Sequence, residues 1–539
     1  MERNNLVCKG CKKIFSYNEI AVNKFICPNC GKYFPYPAIE RLKNIEDDGS
    51  FIAWNVKNNF FDTIEDDDYK EKLRKAQAKS NLTEAIVIGK MKIDGIKVAI
   101  GVMDVNFLMA SMGQFVGDCI TYLFNRATDE HLPVILYCCS GGARMQEGIF
   151  SLMQMEKTVL AVNHHSKKGL LYISVLTNPT MGGVTASFAT IADIILAEKG
   201  AMIGFTGPRV IQQNTGEIVD HTLQTAEGKL EHGLIDNVVK RENIRSVLSK
   251  LLRLHERKPT FIKTAKNDSK YVKSWCPDKK DPVELLKAVR MYNRPSSEDY
   301  IHKIFDDFFE LHGDRIGNDD HALIGGIAKI HGYPVTVIGI DRGKGGYVKA
   351  EYRQWGMPMP SGYRKALRLM KQAEKFRRPI ICFVDTIGAA CGKKAEEFGQ
   401  AISIAQLLSQ ESELSVPILS ILVGEGYSGG ALALSIGNEV WMLENAIYSI
   451  LSPEGYSSIL WKTNNKAAEA AQKMGLDSRS LLKNHVVDRV FMENQPASID
   501  NMDDICNLLE NNIVGFIKKY MRKRHRSIVD DRYRRFLKL

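Results

Sequence analysis

Two stretches of this chain put glycine pairs where bare backbone could meet a developing negative charge. Cys139-Ser-Gly-Gly-Ala-Arg-Met-Gln-Glu-Gly148 follows an apolar run that starts at Pro133. Asn178-Pro-Thr-Met-Gly-Gly-Val-Thr-Ala-Ser187 follows Leu171-Tyr-Ile-Ser-Val-Leu176. A strand that ends in glycine and turns at once into a helix leaves several N–H groups without carbonyl partners. The missing side chains let a ligand oxygen come close, and the helix dipole adds positive potential. Such a turn is an oxyanion hole, whose pre-placed donors stabilise an anionic intermediate. The pattern recurs in Asp385-Thr-Ile-Gly-Ala-Ala-Cys-Gly392 and Gly424-Glu-Gly-Tyr-Ser-Gly-Gly-Ala-Leu-Ala433. We therefore expect Gly182, Gly183, Gly429 and Gly430 to be catalytic, with Gly141, Gly142 and Gly388 lining the neighbouring turns. No His–carboxylate or Ser–His pair stands out at these turns, so no side-chain general base is expected.

The elements that carry these turns are legible as a repeat. Pro133 matches Pro379, Gly142 matches Gly388, Ala143 matches Ala389 and Gly183 matches Gly429, all at an offset of 246 residues without a gap. In each half the two turns are 41 residues apart. Near-continuous apolar strands such as Val335-Thr-Val-Ile338 and Val416-Pro-Ile-Leu-Ser-Ile-Leu-Val423 alternate with helical patterns. That is an α/β architecture, with parallel sheets covered on both faces and right-handed crossovers. Expected boundaries are a metal module at 1–35, a first α/β domain at 36–260, a polar, lysine-rich linker at 261–282 and a second α/β domain at 283–539.

Cys8-x-x-Cys11 and Cys27-x-x-Cys30 form two knuckles that suit one tetrahedral zinc ion. With no open ligand position, such a site is structural. The remaining seven cysteines are scattered, several inside apolar runs, as reduced thiols in a cytoplasmic protein would be. A net charge of +10 over 539 residues suits an anionic ligand without demanding nucleic acid. No apolar run is long enough for a membrane span, and the first residues hold no signal-peptide core. The basic cluster from Lys518 to Arg526 reads as a solvated helix face. Lys90-Met-Lys-Ile93 comes near a biotin-attachment turn but lies in a strand-like alternation, so Lys92 is rejected as a biotin carrier. Gly343-Lys344-Gly345-Gly346 lacks the spacing and hydroxyl of a nucleotide-binding P-loop.

At these motifs the sequence resembles a known family. Ser140–Gly148, Asn178–Ser187, Gly204-Phe-Thr-Gly-Pro-Arg-Val-Ile211 and the four-cysteine ribbon are similar to the β subunit of bacterial acetyl-CoA carboxylase carboxyltransferase. Leu311-His-Gly-Asp-Arg315, Ser361–Arg368, Gly424–Ala433 and Ser452-Pro-Glu-Gly455 resemble its α subunit. The resemblance implies two crotonase-like (ClpP-related) domains in one fused chain. It implies transfer of a carboxyl group from carboxybiotin to acetyl-CoA, giving malonyl-CoA for fatty acid synthesis. The carboxybiotin would sit on a separate biotin carboxyl carrier protein, charged by a biotin carboxylase. Gly182 and Gly183 would face the thioester carbonyl, and Gly429 and Gly430 the biotin ureido oxygen. Arg144 and Arg209 are the candidates for the coenzyme A phosphates, and a homodimer is the simplest closed assembly. Ile387, Ala390 and Cys391 depart from the family's usual Asp-Thr-Pro-Gly-Ala-Tyr-Pro-Gly at 385–392.

Two other readings stand beside this one. A biotin-dependent acyl-CoA decarboxylase or a propionyl-type carboxyltransferase would use the same turns. A nucleic-acid-binding regulator would instead use the ribbon and its lysines, and weak binding of that kind is also open to the enzyme.

Overall fold

The computed structural model describes residues 5–57, 64–216, 220–256, 280–463 and 465–539. The chain divides into two compact units, Met1–Arg253 and Leu254–Leu539. Most of the expected linker lies outside the described residues, and regular structure resumes with the helix Pro282–Val289.

The first unit opens with a hairpin of β1 (Leu6–Val7) and β2 (Ile14–Phe15). Cys8 and Cys27, one from each knuckle, are buried in a small core with Ile20, Phe25, Phe34 and Tyr36. The eight-stranded sheet that follows contains β3 (Ile52–Ala53), β4 (Ile86–Ile93), β5 (Ile96–Met103), β6 (Val134–Ser140), β7 (Tyr172–Met181), β8 (Ile194–Glu198), β9 (Ile203–Gly204) and β10 (Asn237–Val239). Its order is β10-β8-β7-β6-β5-β4-β3, with β9 added to the far end of β7. β5 through β8 and β10 run parallel, while β3 and β4 are antiparallel. Parallel strands need crossovers, supplied here by the helices α1 (Gln114–Asp129) and α2 (Gly148–Lys167). β6 is buried along its whole length, as a strand covered on both faces must be. Lys92 lies in β4, paired with Lys97 of β5, where the sequence put a strand.

The second unit repeats this plan. Its strands are β11 (Asp306–Glu310), β12 (Leu323–Ile330), β13 (Tyr333–Ile340), β14 (Ile380–Thr386), β15 (Ile418–Tyr427), β16 (Glu439–Leu443), β17 (Ile447–Ser449) and β18 (Arg489–Phe491), in the order β11-β12-β13-β14-β15-β16-β18, with β17 on β15. Helices α3 (Pro360–Phe376) and α4 (Gln400–Glu413) take the places of α1 and α2.

The duplication reaches the backbone angles. Residues forced into positive φ recur at the 246 offset: Met109 (56°) and Trp355 (53°), His131 (53°) and Arg377 (57°), Gly142 (130°) and Gly388 (128°), Gly182 (66°) and Ser428 (63°). Upstream the offset is 237, since Ala99 pairs with Val134 as Thr336 pairs with Ile380. The second unit therefore carries nine extra residues between β13 and α3, and they include the short helix Tyr347–Tyr352.

Candidate active site: two glycine turns in each unit

In the first unit β6 ends at Ser140, and the chain turns through Gly141-Gly142-Ala143. The Gly141 amide donates to the Met109 carbonyl at 2.8 Å. The Gly142 amide is taken by Ser140 Oγ at 3.0 Å, and the Arg144 amide by the Met112 carbonyl at 2.9 Å. Among the described residues nothing accepts from the Ala143 amide between them. The second turn leaves β7 at Met181. There the Gly182 amide donates to the carbonyls of Gly204 (3.2 Å) and Phe205 (3.0 Å), and among the described residues nothing accepts from the Gly183 amide.

The second unit reproduces this arrangement. The Gly388 amide is capped by Thr386 Oγ1 at 2.9 Å, and the Ala390 amide by the Pro358 carbonyl at 3.0 Å. Among the described residues nothing accepts from the Ala389 amide between them. Gly429 and Gly430 lie in the first turn of the short helix Ser428–Leu432, where amides have no intrahelical partner. Gln400 ties the turn down through Nε2, which donates to Pro358 O (2.8 Å) and Ala390 O (3.1 Å).

These geometries correct the expectation that Gly182 is an oxyanion donor. Gly141, Gly142, Gly182 and Gly388 spend their own N–H groups inside the protein, so they are not free donors. Their part is conformational. Gly142, Gly182 and Gly388 sit at positive φ, where a Cβ is strained, and they allow the two turns to pack on each other. A Cβ on Gly182 would lie 3.0 Å from the Gly142 Cα, and one on Gly430 would lie 2.3 Å from the Ala389 nitrogen. The available amides are those of Ala143 and Gly183 in one unit, and of Ala389, Gly429 and Gly430 in the other. The two alanines attract no notice by residue type, because every residue but proline carries an N–H. The repeat that matches Ala143 with Ala389 was the signal that could have found them.

Arg144 is also corrected as a phosphate ligand. It is 2% exposed, and its guanidinium forks onto Glu84 with two bonds of 2.8 Å. It also donates to the Ser111 carbonyl at 2.9 Å and lies 3.4 Å from Glu147. It locks the first turn to the start of α1 rather than facing a ligand. Arg209 falls in the helix Pro208–Thr215, and its side chain lies outside the described residues. Lys344 sits 3.1 Å from Asp385 Oδ2, inside a buried ion cluster.

The four ribbon cysteines converge. Cys8, Cys11, Cys27 and Cys30 bring their sulfurs within 4.8 Å of one another. Cys8–Cys30 is 3.6 Å and Cys11–Cys27 is 3.7 Å. Tetrahedral bonds of the zinc–thiolate length require sulfurs about 3.8 Å apart, so the donor set fits such an ion. The ribbon is fastened to the sheet through Arg241. Its Nη1 donates to the carbonyls of Phe25 (2.9 Å) and Phe34 (3.1 Å), and its Nη2 pairs with Glu198 at 2.9 Å. Glu198 also pairs with Arg41. Burial alone would raise the Glu198 carboxyl, but the two guanidiniums outweigh it and hold the group down at about 2.

With two matched turns in each unit in view, comparison with known proteins is decisive. The protein described as acetyl-coenzyme A carboxylase carboxyl transferase subunits beta/alpha of Natranaerobius thermophilus is 45% identical, over 98% of this chain and 90% of its own. The chain belongs to the acetyl-CoA carboxylase carboxyltransferase family. The Clostridium tetani protein of the same description is 44% identical over 98% of this chain and 92% of its own. The family described as acetyl co-enzyme A carboxylase carboxyltransferase-like matches residues 257–539. Among solved structures, transcarboxylase 12S superposes with a TM-score of 0.71, at 22% identity, over 91% of both chains. That likeness bears on fold, and it makes both units of this carboxyltransferase crotonase-like. Among the described residues no helix is long and apolar enough to cross a membrane.

Proposed function

We propose that this carboxyltransferase moves the carboxyl group of carboxybiotin to acetyl-CoA, giving malonyl-CoA, by holding two anions on backbone amides. The observation that carries the reading is the pair of unsatisfied amides repeated at one offset in both units, Ala143 with Gly183 and Ala389 with Gly429. The first pair receives the thioester oxygen as the α-carbon loses its proton. The second pair receives the ureido oxygen of biotin as its N–carboxyl bond breaks. The donor, a substrate carried on a separate protein, releases CO2 and leaves a ureido anion, which takes the acetyl α-proton. The enolate carbon then attacks CO2, so the proton and the carboxyl group exchange places and no side-chain base is consumed. Each donor aimed at such an oxygen is worth about 2.7–4 kcal/mol.

Zinc is the ion that best suits the ribbon's four sulfurs, as a structural element. A biotin carboxyl carrier protein and a biotin carboxylase are the partners this chemistry requires. Met145 and, on α2, Ile149, Phe150, Leu152 and Met153 are half exposed or more. In the second unit Phe398 and Ile402, on or beside α4, are exposed in turn. Apolar faces of this kind are covered in an assembly, and a homodimer is the simplest closed one.

The test is the reverse reaction on the purified chain, malonyl-CoA-dependent carboxylation of free biotin. Turnover with malonyl-CoA above that with methylmalonyl-CoA is expected. No turnover with any acyl-CoA defeats the proposal.

A further inference from the structure

The two units do one task with different residues. In each, the chain runs through a short strap into its first long crossover helix, and the strap's carbonyls hold a glycine turn. In the first unit the Met112 carbonyl takes the Arg144 amide at 2.9 Å. In the second, the Pro358 carbonyl takes the Ala390 amide at 3.0 Å, and the Gly356 carbonyl takes the Thr386 hydroxyl at 2.5 Å. The Ala389 amide lies in the chain between those two fastenings.

A buried carboxylate grips the end of each strap. In the first unit Glu147 accepts from the amide of Gln114, the first residue of α1. The 246 offset matches Gln114 to Pro360, which has no N–H, and Glu147 to Lys393. The second unit therefore cannot make the same bond. Asp320 makes another: its Oδ2 accepts from the Met359 amide at 2.6 Å, and its Oδ1 from the Ala322 amide at 2.8 Å. By the 237 offset Asp320 matches Thr83, so it is not the repeated counterpart of Glu147. Gly362 on α3 keeps room for it, since a Cβ there would lie 3.1 Å from Asp320 Oδ2 and 3.0 Å from the Pro358 Cβ.

The grips also differ in charge. Glu147 has Arg144 at 3.4 Å and the Tyr69 hydroxyl beside it. Asp320 is fully buried, and the neighbouring charged groups are committed elsewhere. Lys365 of α3 pairs with Asp319 at 2.8 Å, as does His312, while Arg353 pairs with Glu298 at 3.0 Å and His321 stacks on Tyr352. Burial outweighs the two backbone donors and raises the Asp320 carboxyl to about 6. Both of its oxygens face N–H groups, so a proton or an amide nitrogen on either one sets donor against donor.

Building on the function proposed above, we infer that Asp320 is a positioning residue for the second glycine turn: its carboxylate fixes the strap Gly356–Met359, and the strap aims the Ala389 amide. Asp320→Asn keeps the size and replaces one acceptor by a donor. We expect kcat for malonyl-CoA-dependent carboxylation of free biotin to fall about 10- to 100-fold at unchanged KM for malonyl-CoA. The parent kcat should fall away below pH about 6, and the variant should lack that limb. A merely structural aspartate would lower Tm and leave the limb in place. Exchange of the Ala390 amide with deuterium, resolved by mass spectrometry, should quicken in the variant whether or not the chain turns over. Gly362→Ala gives a second route, keeping the carboxylate and pressing on it and on Pro358; it should lower kcat about three- to tenfold and quicken the same exchange. No turnover by the parent with any acyl-CoA defeats the proposed function, and Ala390 exchange then judges the grip by itself. Folded variants that keep the parent pH profile, or that leave Ala390 exchange unchanged, overturn the inference.

Discussion

Gly430→Ala tests the backbone argument where the structure is tightest. The added Cβ would stand 2.3 Å from the Ala389 nitrogen and 2.7 Å from the Gly388 carbonyl carbon. A carbon and a nitrogen in van der Waals contact need about 3.4 Å, so the two turns must separate by about 1 Å. Both contacts are backbone, and no side chain can rotate away. The Ala389 amide, about 2.9 Å from the oxygen it serves, would be left near 3.9 Å, outside hydrogen-bonding range. Loss of one such donor is worth about 2.7–4 kcal/mol, or roughly 10²–10³ in kcat. Steady-state kinetics of malonyl-CoA-dependent biotin carboxylation reads it, with thermal unfolding and metal content as checks on the fold. The expected result is a fall in kcat of that size at little-changed KM for malonyl-CoA. A folded Gly430→Ala chain with kcat within about threefold of the parent would refute the reasoning.

Three further outcomes follow from the same geometry. Ser428 holds φ at +63° where its counterpart is Gly182, so Ser428→Gly relieves left-handed strain and raises stability by about 0.5–1 kcal/mol, seen as a higher Tm. Glu198 is held at about 2, below the unfolded value of about 4.3, so its stabilisation is present above the unfolded value and is lost as pH falls through the folded one. Acid titration followed by ribbon release should show about 3 kcal/mol draining away between pH ~4.5 and ~2, a window that Glu198→Gln removes. Stripping the ribbon metal with a thiol-reactive mercurial should release one ion per chain and expose Phe25 and Phe34 to quenchers, while far-ultraviolet circular dichroism of the two sheets stays nearly unchanged.

How far the sequence alone carried the reading depends on the range of each interaction. The repeat and the cysteine knuckles lie where spacing put them, but among the described residues a helix starts directly at a glycine pair only at Ser428–Leu432, whereas Gly182 and Gly183 open a non-helical turn. What the spacing concealed is partnership at a distance. Arg144 looks like a ligand of anions next to a glycine turn, yet Glu84, sixty residues earlier, claims it. Glycine composition drew attention to Gly182, whose amide is taken by residues more than twenty positions downstream. The free donors include those of Ala143 and Ala389 beside the expected Gly183, Gly429 and Gly430, and the alanine side chains say nothing about their amides.

The claim that matters most is that main-chain N–H groups, and no acid or base on a side chain, hold the reaction's anions. Replacing the Ala389 amide by an ester, through an alanine-to-lactate exchange in the backbone, deletes that one donor and leaves every side chain in place. The account expects kcat for biotin carboxylation to fall by about 10²–10³ with the fold intact. An ester-bearing chain that turns over at the parent rate would contradict it.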